Sequence, residues 1–264
     1  MTRSPRVENQ IEHSDGDTAI YIYGIVPGDV EVEEDVEGIG DPPAKVEVIR
    51  EGDIAALVSA IPAGHPLGKP KDLQAHANLL DGTAAVAPVL PLRFGAVMTD
   101  AEAVAEELLR ANHDDFARVL SELEGRAEYI IKGRYDEDAL LRDVLSERQA
   151  RALLEDVRSK PEEASRDSRI ALGELIAKAI ESRRNADTKT VVDQLNGLAS
   201  AVNVRPPTHE YDAVHVALMA DLDRQPDLEA TVNELAEKGE GRTELRLLGP
   251  LAAYDFVTTR APAS

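Results

Sequence analysis

The chain has 264 residues, and 29 Lys+Arg against 50 Asp+Glu leave a formal charge of −21. That charge excludes a general affinity for nucleic acid or anionic membrane, which needs clustered Lys and Arg, and six Tyr, three Phe and no Trp are too few for base-stacking platforms. The absence of Cys removes disulfides, thiolate metal sites and Cys nucleophiles and fits a reducing cytoplasm.

A hydrophobic content of 43% still allows a substantial core. At roughly 150 residues per domain the length predicts two domains. Residues 1–17 lack the apolar region of a signal peptide and read as a polar, disordered tail. No run reaches the ~20 apolar residues of a membrane span. Residues 19–26, rich in β-branched and aromatic side chains, predict a strand that stops at Pro27-Gly28. Residues 29–37 hold six carboxylates and no base, which predicts a solvated loop. The acids there do not follow the alternating spacing, central Gly and closing Glu of an EF-hand. Strands over 45–50 and 54–59 form a hairpin around Glu51-Gly52-Asp53. A helix follows Pro70, from Lys71 to about Ala85. Residues 88–98 are largely apolar, punctuated by Pro88, Pro91 and Gly95. Thr99-Asp100 caps a helix with an apolar stripe at Val104, Leu108 and Leu109. A second helix spans 114–123 and stops near Gly125.

The second half opens with a strand over 127–132. Helical sequence then runs from about 137 to 199, interrupted where Pro161, with Glu162 and Glu163, starts a new helix. Val191, Leu195, Leu198 and Val202 are spaced 4, 3 and 4, a coiled-coil-like stripe. A strand at 202–204, a turn at Pro206-Pro207, a strand over 211–219, a helix over 227–238 ended by Gly239 and a strand over 243–248 complete the chain. The order β-α-β-β-α-β is that of ferredoxin-like domains, here with an overlong first crossover. The fold class expected is therefore α+β. A mixed α/β domain covers 18–125, and a ferredoxin-like domain with a long helical insertion covers 126–264.

Motifs for chemistry are absent. Gly64 to Lys69 has three residues between its glycines where a phosphate loop needs four, and Pro70 follows the Lys. Gly38-Ile39-Gly40 runs into Asp41-Pro42-Pro43 and does not open a dinucleotide-binding helix. No G-x-S-x-G elbow occurs. His13, His65, His76, His113, His209 and His215 form no metal-ligand pair at helical spacing. His113, beside Asp114 and Asp115, reads as a helix start, and His215 as a strand residue. Arg93 lies among apolar neighbours, which predicts a largely buried guanidinium with a carboxylate or carbonyl partner, with anion binding as the alternative. No catalytic, cofactor-binding or metal-binding residue is assigned.

The segment Pro88-Val89-Leu90-Pro91-Leu92-Arg93-Phe94-Gly95, preceded by His76, resembles the signature of the gas vesicle protein family GvpL/GvpF. The strand Tyr21-Ile22-Tyr23-Gly24-Ile25-Val26 is similar to the family's start. Residues 247–257, from Leu247 through Gly249, Pro250, Tyr254 and Phe256 to Val257, are similar to its closing motif. Ala252 and Ala253 stand where the family usually carries a Pro pair before the Tyr. The resemblance spans about 19–257. It implies an N-terminal α/β domain and a ferredoxin-like part with long helices, in a cytoplasmic accessory or minor structural component of gas vesicles, the protein-walled buoyancy organelles. It further implies contact with the small hydrophobic shell protein GvpA and with other gas vesicle accessory proteins. No cofactor, metal or catalytic residue comes with it. Pro88, Leu90, Pro91, Arg93, Phe94, Gly95, Gly249, Pro250, Tyr254 and Phe256 are the motif residues, expected to be structural.

Two other classes stand beside an assembly protein. One is a ferredoxin-like small-molecule-binding regulatory module, supported by fold analogy alone. The other is an enzyme using paired carboxylates among the fifty acids, for which the sequence locates no pair.

Overall fold

A computed structural model describes residues 18–33 and 35–257. The tail expected over 1–17, and Glu34 of the acidic loop, lie outside the described residues. The architecture is α+β, with a larger sheet in each of two compact units. One unit runs to Glu128 and resumes at Pro250; the other is Tyr129–Gly249. The sequence pattern assigned everything after 126 to the second domain. The closing segment instead belongs to the first unit, because its backbone and Tyr254 are held by side chains of that unit.

The first unit begins with β1 (Thr18–Pro27), β2 (Glu37–Gly40), β3 (Pro43–Lys45), β4 (Glu47–Glu51) and β5 (Ile54–Pro62). Then come α1 (Pro70–Ala84), β6 (Leu90–Pro91) and β7 (Val97–Met98). Its sheet has the order β4-β5-β1-β6, with β7 also paired to β1, while β2 and β3 form a separate small hairpin. The expected hairpin is present: Glu51 pairs with Ile54, leaving Gly52-Asp53 as a two-residue turn with Gly52 at φ +65°. The expected loop over 29–37 ends in β2, which uses Gly38-Ile39-Gly40 as a strand.

Both faces of this sheet are covered, so its strands bury residues of either parity. In β1 a bulge between Ile22 and Gly24 shifts the register. Ile20, Ile22 and Ile25 join one core with Ile49, Val58, Leu90, Leu108 and Leu120. Tyr21, Tyr23 and Val26 join the other with Ile39, Leu57, Leu80 and Ala252. The first core lies against helical residues 101–123 and the second against α1.

That helical stretch is one nearly continuous run rather than two separate helices. It comprises α2 (Ala101–Ala103), six residues of wider π-type winding over Val104–Leu109, a tight turn at Arg110–Asn112, and α3 (His113–Leu123). Asp100 caps it as expected, its Oδ1 accepting the Ala103 N–H at 2.8 Å. No Pro or Gly interrupts 101–123, so nothing forces the chain apart between the two expected helices.

The second sheet is built from β8 (Arg126–Tyr135), β9 (Ala201–Val204), β10 (Asp212–Asp221) and β11 (Thr243–Leu251), in the order β11-β8-β10-β9. Numbered within the set, this is the order 4-1-3-2. Its helices are α4 (Glu137–Ser146), α5 (Arg148–Ser159), α6 (Arg166–Gln194) and α7 (Gln225–Lys238). The helical stretch departs from expectation in three places. It also breaks at Glu147. Pro161 opens a turn, in which the Ser165 N–H donates to Pro161 O at 3.0 Å, and α6 starts only at Arg166. Finally, α6 stops at Gln194 rather than 199, because Gly197 takes φ +89° and the chain turns away. The coiled-coil-like stripe is thereby divided. Val191 and Leu195 are buried, but Leu198 lies past the helix and Val202 is an exposed residue of β9.

Candidate functional site

The motif segment 88–95 enters the sheet as β6, where Leu90 pairs with Ile25 and Pro91 with Gly24. Gly24 is required by this approach, since a Cβ there would lie 2.8 Å from Leu90 O and 2.9 Å from Leu80 Cδ2. The Leu92 N–H donates to Tyr23 O at 2.9 Å, and the chain then turns at Gly95, φ +95°.

Opposite this segment, α1 presents Asp72, His76, Leu80 and Ala84, four residues apart, as its buried face. The His76 imidazole is 3% exposed. Its Nδ1 lies 2.8 Å from the Tyr21 hydroxyl, and its Nε2 lies 3.2 Å from Leu92 O and 2.9 Å from the Tyr254 hydroxyl. A carbonyl only accepts, so the proton is assigned to Nε2 and Nδ1 accepts from Tyr21. The Tyr21 oxygen in turn accepts the Gly95 N–H at 3.3 Å. The rings of Tyr21, Tyr23 and Phe94 surround the imidazole, with centroids 5.6–5.8 Å from it. Burial lowers its pKa to about 4, so it is neutral at ordinary pH. Burial likewise pushes the Tyr21 and Tyr254 hydroxyls above the usual tyrosine range. The network therefore holds its protons near neutrality and offers no poised acid or base.

The small hairpin is tied into the same face. The Tyr23 hydroxyl accepts the Ile39 N–H at 2.8 Å and donates to Ser59 Oγ at 2.9 Å, and Ser59 donates to Lys45 O at 2.8 Å. Asp72 Oδ1 accepts the Gly40 N–H at 3.0 Å.

The closing segment is pinned at three points. Tyr254 meets His76, the Ala252 N–H donates to Asp81 Oδ1 at 3.0 Å, and the Asp255 N–H donates to Glu128 Oε2 at 2.9 Å. Glu128 is 1% exposed. A proline at 252 has no N–H to give Asp81, so Ala252 permits a hydrogen bond that the usual family residue does not. Burial raises the Asp81 carboxyl and this bond partly offsets the rise.

The structure thus brings Leu90, Pro91, Phe94, Gly95 and Tyr254 into one region of the first unit. Pro88 is half-buried at its edge; Pro250 and Phe256 are half-buried, and Gly249 lies near the end of β11. Arg93 is a correction. It is exposed and makes no ion pair among the described residues, because Leu92 and Phe94 take the inward positions and the turn closed by Ala96 N–H to Arg93 O leaves it outside. His113 does stand at a helix start, but its Nε2 also reaches Asp53 Oδ1 at 2.6 Å, fixing α3 to the β4–β5 turn. The sequence reading missed Asp72, Asp81, Glu128 and Ser59 as partners. The signal available for the first was its place four residues before His76 and eight before Leu80, on one helix face. Among the described residues no group of three or more His, Asp or Glu side chains converges as a metal site.

The fold is thus a two-unit α+β protein in which several of the motif residues help build a hydrogen-bonded core. The chain belongs to the GvpL/GvpF family of gas vesicle synthesis proteins, which it matches over residues 19–258. It is similar to gas vesicle protein F of Streptomyces sp. (strain CB03234), with 32% identity over 240 residues that cover 90% of this chain and 98% of that one. Gas vesicle protein L of the same strain is 27% identical over 266 residues, covering 89% and 91%. The crystal structure of GvpF from Anabaena sp. PCC7120 shares the fold, with a TM-score of 0.75 at 24% identity, covering 92% of this chain and 99% of that one. The protein is accordingly involved in gas vesicle formation. Among the described residues no helix is long and apolar enough to cross a membrane.

Proposed function

We propose that the protein acts in the cytoplasm as an accessory or minor structural component of gas vesicles and takes part in their assembly by binding the hydrophobic shell protein, GvpA. On this reading the second unit is a ferredoxin-like module whose long helices supply contact surface. A shell subunit that polymerises through apolar surface needs a partner that stays soluble while covering part of it, and a charge of −21 provides that solubility.

The observation that carries the reading is the α5–α6 pair. Its apolar residues Leu153, Leu154, Val157, Leu172, Leu175 and Ile176 are only half-buried, and Ile170 is 53% exposed. Two packed helices leave such stripes incompletely covered, and an amphipathic helix or a strand laid along them completes the burial. Co-purification with the shell protein tests the reading. A complex that is weakened by Ile170→Glu is the expected result, and no complex under conditions where both proteins are soluble overturns it.

A further inference from the structure

A groove of about 500 Å³ in the first unit lies apart from the His76 network. Its walls come from four pieces of chain: the turn after β1, the chain leading into β6, the β4–β5 turn, and α3 with the residue that follows it. Val30, Ile54, Val86, Pro88, Ala117 and Leu120 give it apolar walls. Among the described residues its charged lining is Asp29, Asp53 and Glu124, all acidic and exposed, with no Lys or Arg.

Two features separate this groove from an ordinary surface depression. The first is rigidity. The Arg50 guanidinium donates to Gly28 O and Val30 O at 2.9 Å each, and the Gly28 N–H donates to Asp53 O at 2.7 Å, so the first wall is clamped to the sheet. On the second wall the Val86 and Ala87 N–H groups both donate to Thr83 O, at 3.0 and 2.8 Å. That ordered turn holds the Val86 side chain 84% exposed. A branched apolar side chain fixed in water by its own backbone bonds gains only if something covers it. The second feature is charge. Asp53 is paired with His113, but Asp29 and Glu124 make no ion pair among the described residues. Arg50, a cation close to this rim, is turned to the Gly28 and Val30 carbonyls, so the two carboxylates are left for a cation from outside.

We propose that this groove is a docking site for a segment of a partner protein that carries a Lys or Arg beside an apolar side chain. The apolar side chain, with the methylene stem of the cation, covers Val86, Pro88 and Leu120, and the cationic head meets Asp29 and Glu124. An acidic segment is repelled by the same rim. The inference goes beyond the assembly reading, because it concerns what chemistry the groove accepts, whichever protein supplies it.

The test is a titration of methyl-labelled full-length protein, followed by NMR, with an acetylated and amidated octapeptide containing Leu-Val-Lys-Leu and with its Lys-to-Glu counterpart. The Val86, Ala117 and Leu120 methyl signals are expected to shift saturably with the basic peptide and not with the acidic one. Raising the salt from about 0.05 to about 0.5 M weakens the binding, because the rim charges are exposed. The Asp29→Asn/Glu124→Gln variant binds about five-fold more weakly or worse. Val86→Glu removes binding, and since Val86 is so exposed this variant folds; an unchanged spectrum away from the groove confirms that. Equal shifts with both peptides, no shifts at these methyls, or undiminished affinity in the Asp29→Asn/Glu124→Gln protein would each overturn the proposal.

Discussion

The sheet of the first unit and the α5–α6 pair of the second solve the same problem differently. Around β1, both faces are dry: Ile22 and Ile25 on one side and Tyr21 and Tyr23 on the other are 0% exposed, and the Tyr21, Tyr23, Ser59 and His76 side chains admitted there are hydrogen-bonded. Along α5 and α6, Ala150, Ile180 and Val191 are fully buried, most other apolar residues are half-covered, and surface ion pairs such as Arg183–Glu147 and Arg169–Glu162 decorate the outside. Stability is concentrated in the first arrangement and available surface in the second. On the proposed assembly role, the persistent fold and the contact surface lie in different units.

The contrast is sharpest for large-to-small substitutions. Leu80→Ala, at a 0% exposed position, is expected to cost about 3 kcal/mol. Leu175→Ala, at a half-buried position of α6, is expected to cost about 1 kcal/mol. Urea denaturation of both variants measures the difference, and equal losses would erase the distinction between the two regions.

The second break is by acid. Because His76 in the folded chain has its pKa depressed to about 4 from the ordinary 6.5, the unfolded chain binds more protons between these values. Its contribution is fully present above pH 6.5 and is lost as pH falls towards 4, to the extent of about 3 kcal/mol. Denaturation midpoints followed across that window in the native chain and in His76→Phe should show the slope in the former and a flatter line in the latter.

Smaller effects probe the closing segment. Ala252→Pro removes the donor to Asp81 and is expected to cost about 1–2 kcal/mol. The loss should shrink when Asp81→Ala is already present, which a double-mutant cycle reads directly. Tyr254→Phe takes away one hydroxyl at His76 and is expected to cost about 1 kcal/mol by the same assay. At the bottom of the scale, Lys189→Ala breaks an exposed pair with Asp193 on α6 and should change stability by less than about 0.5 kcal/mol.

Much of the fold was legible from local pattern. β1, the β4–β5 hairpin, α1, β10 and α7 were all expected within a few residues, because each is a compact apolar or amphipathic run with Pro, Gly or charged residues close to its ends. The misread boundaries lie where that punctuation misleads. Pro161 marks a turn, α6 begins five residues later, and Asn196-Gly197 ends α6 before the apolar spacing runs out. Of the candidate site, the motif residues are visible as unusual combinations of Pro, Gly and aromatics, but the apolar neighbours of Arg93 point it inward where the turn holds it outside.

The sequence by itself determined the acidic composition, the order of most strands and helices, and the family, because charge, periodicity and short motifs are local quantities. Only the tertiary structure decided that residues 250–257 return to the first unit. The Tyr254 hydroxyl finds His76 across 178 positions and the Ala252 N–H finds Asp81 across 171. No propensity or spacing encodes such pairings. They follow from which buried polar atoms still lack a partner once the helix has packed on its sheet.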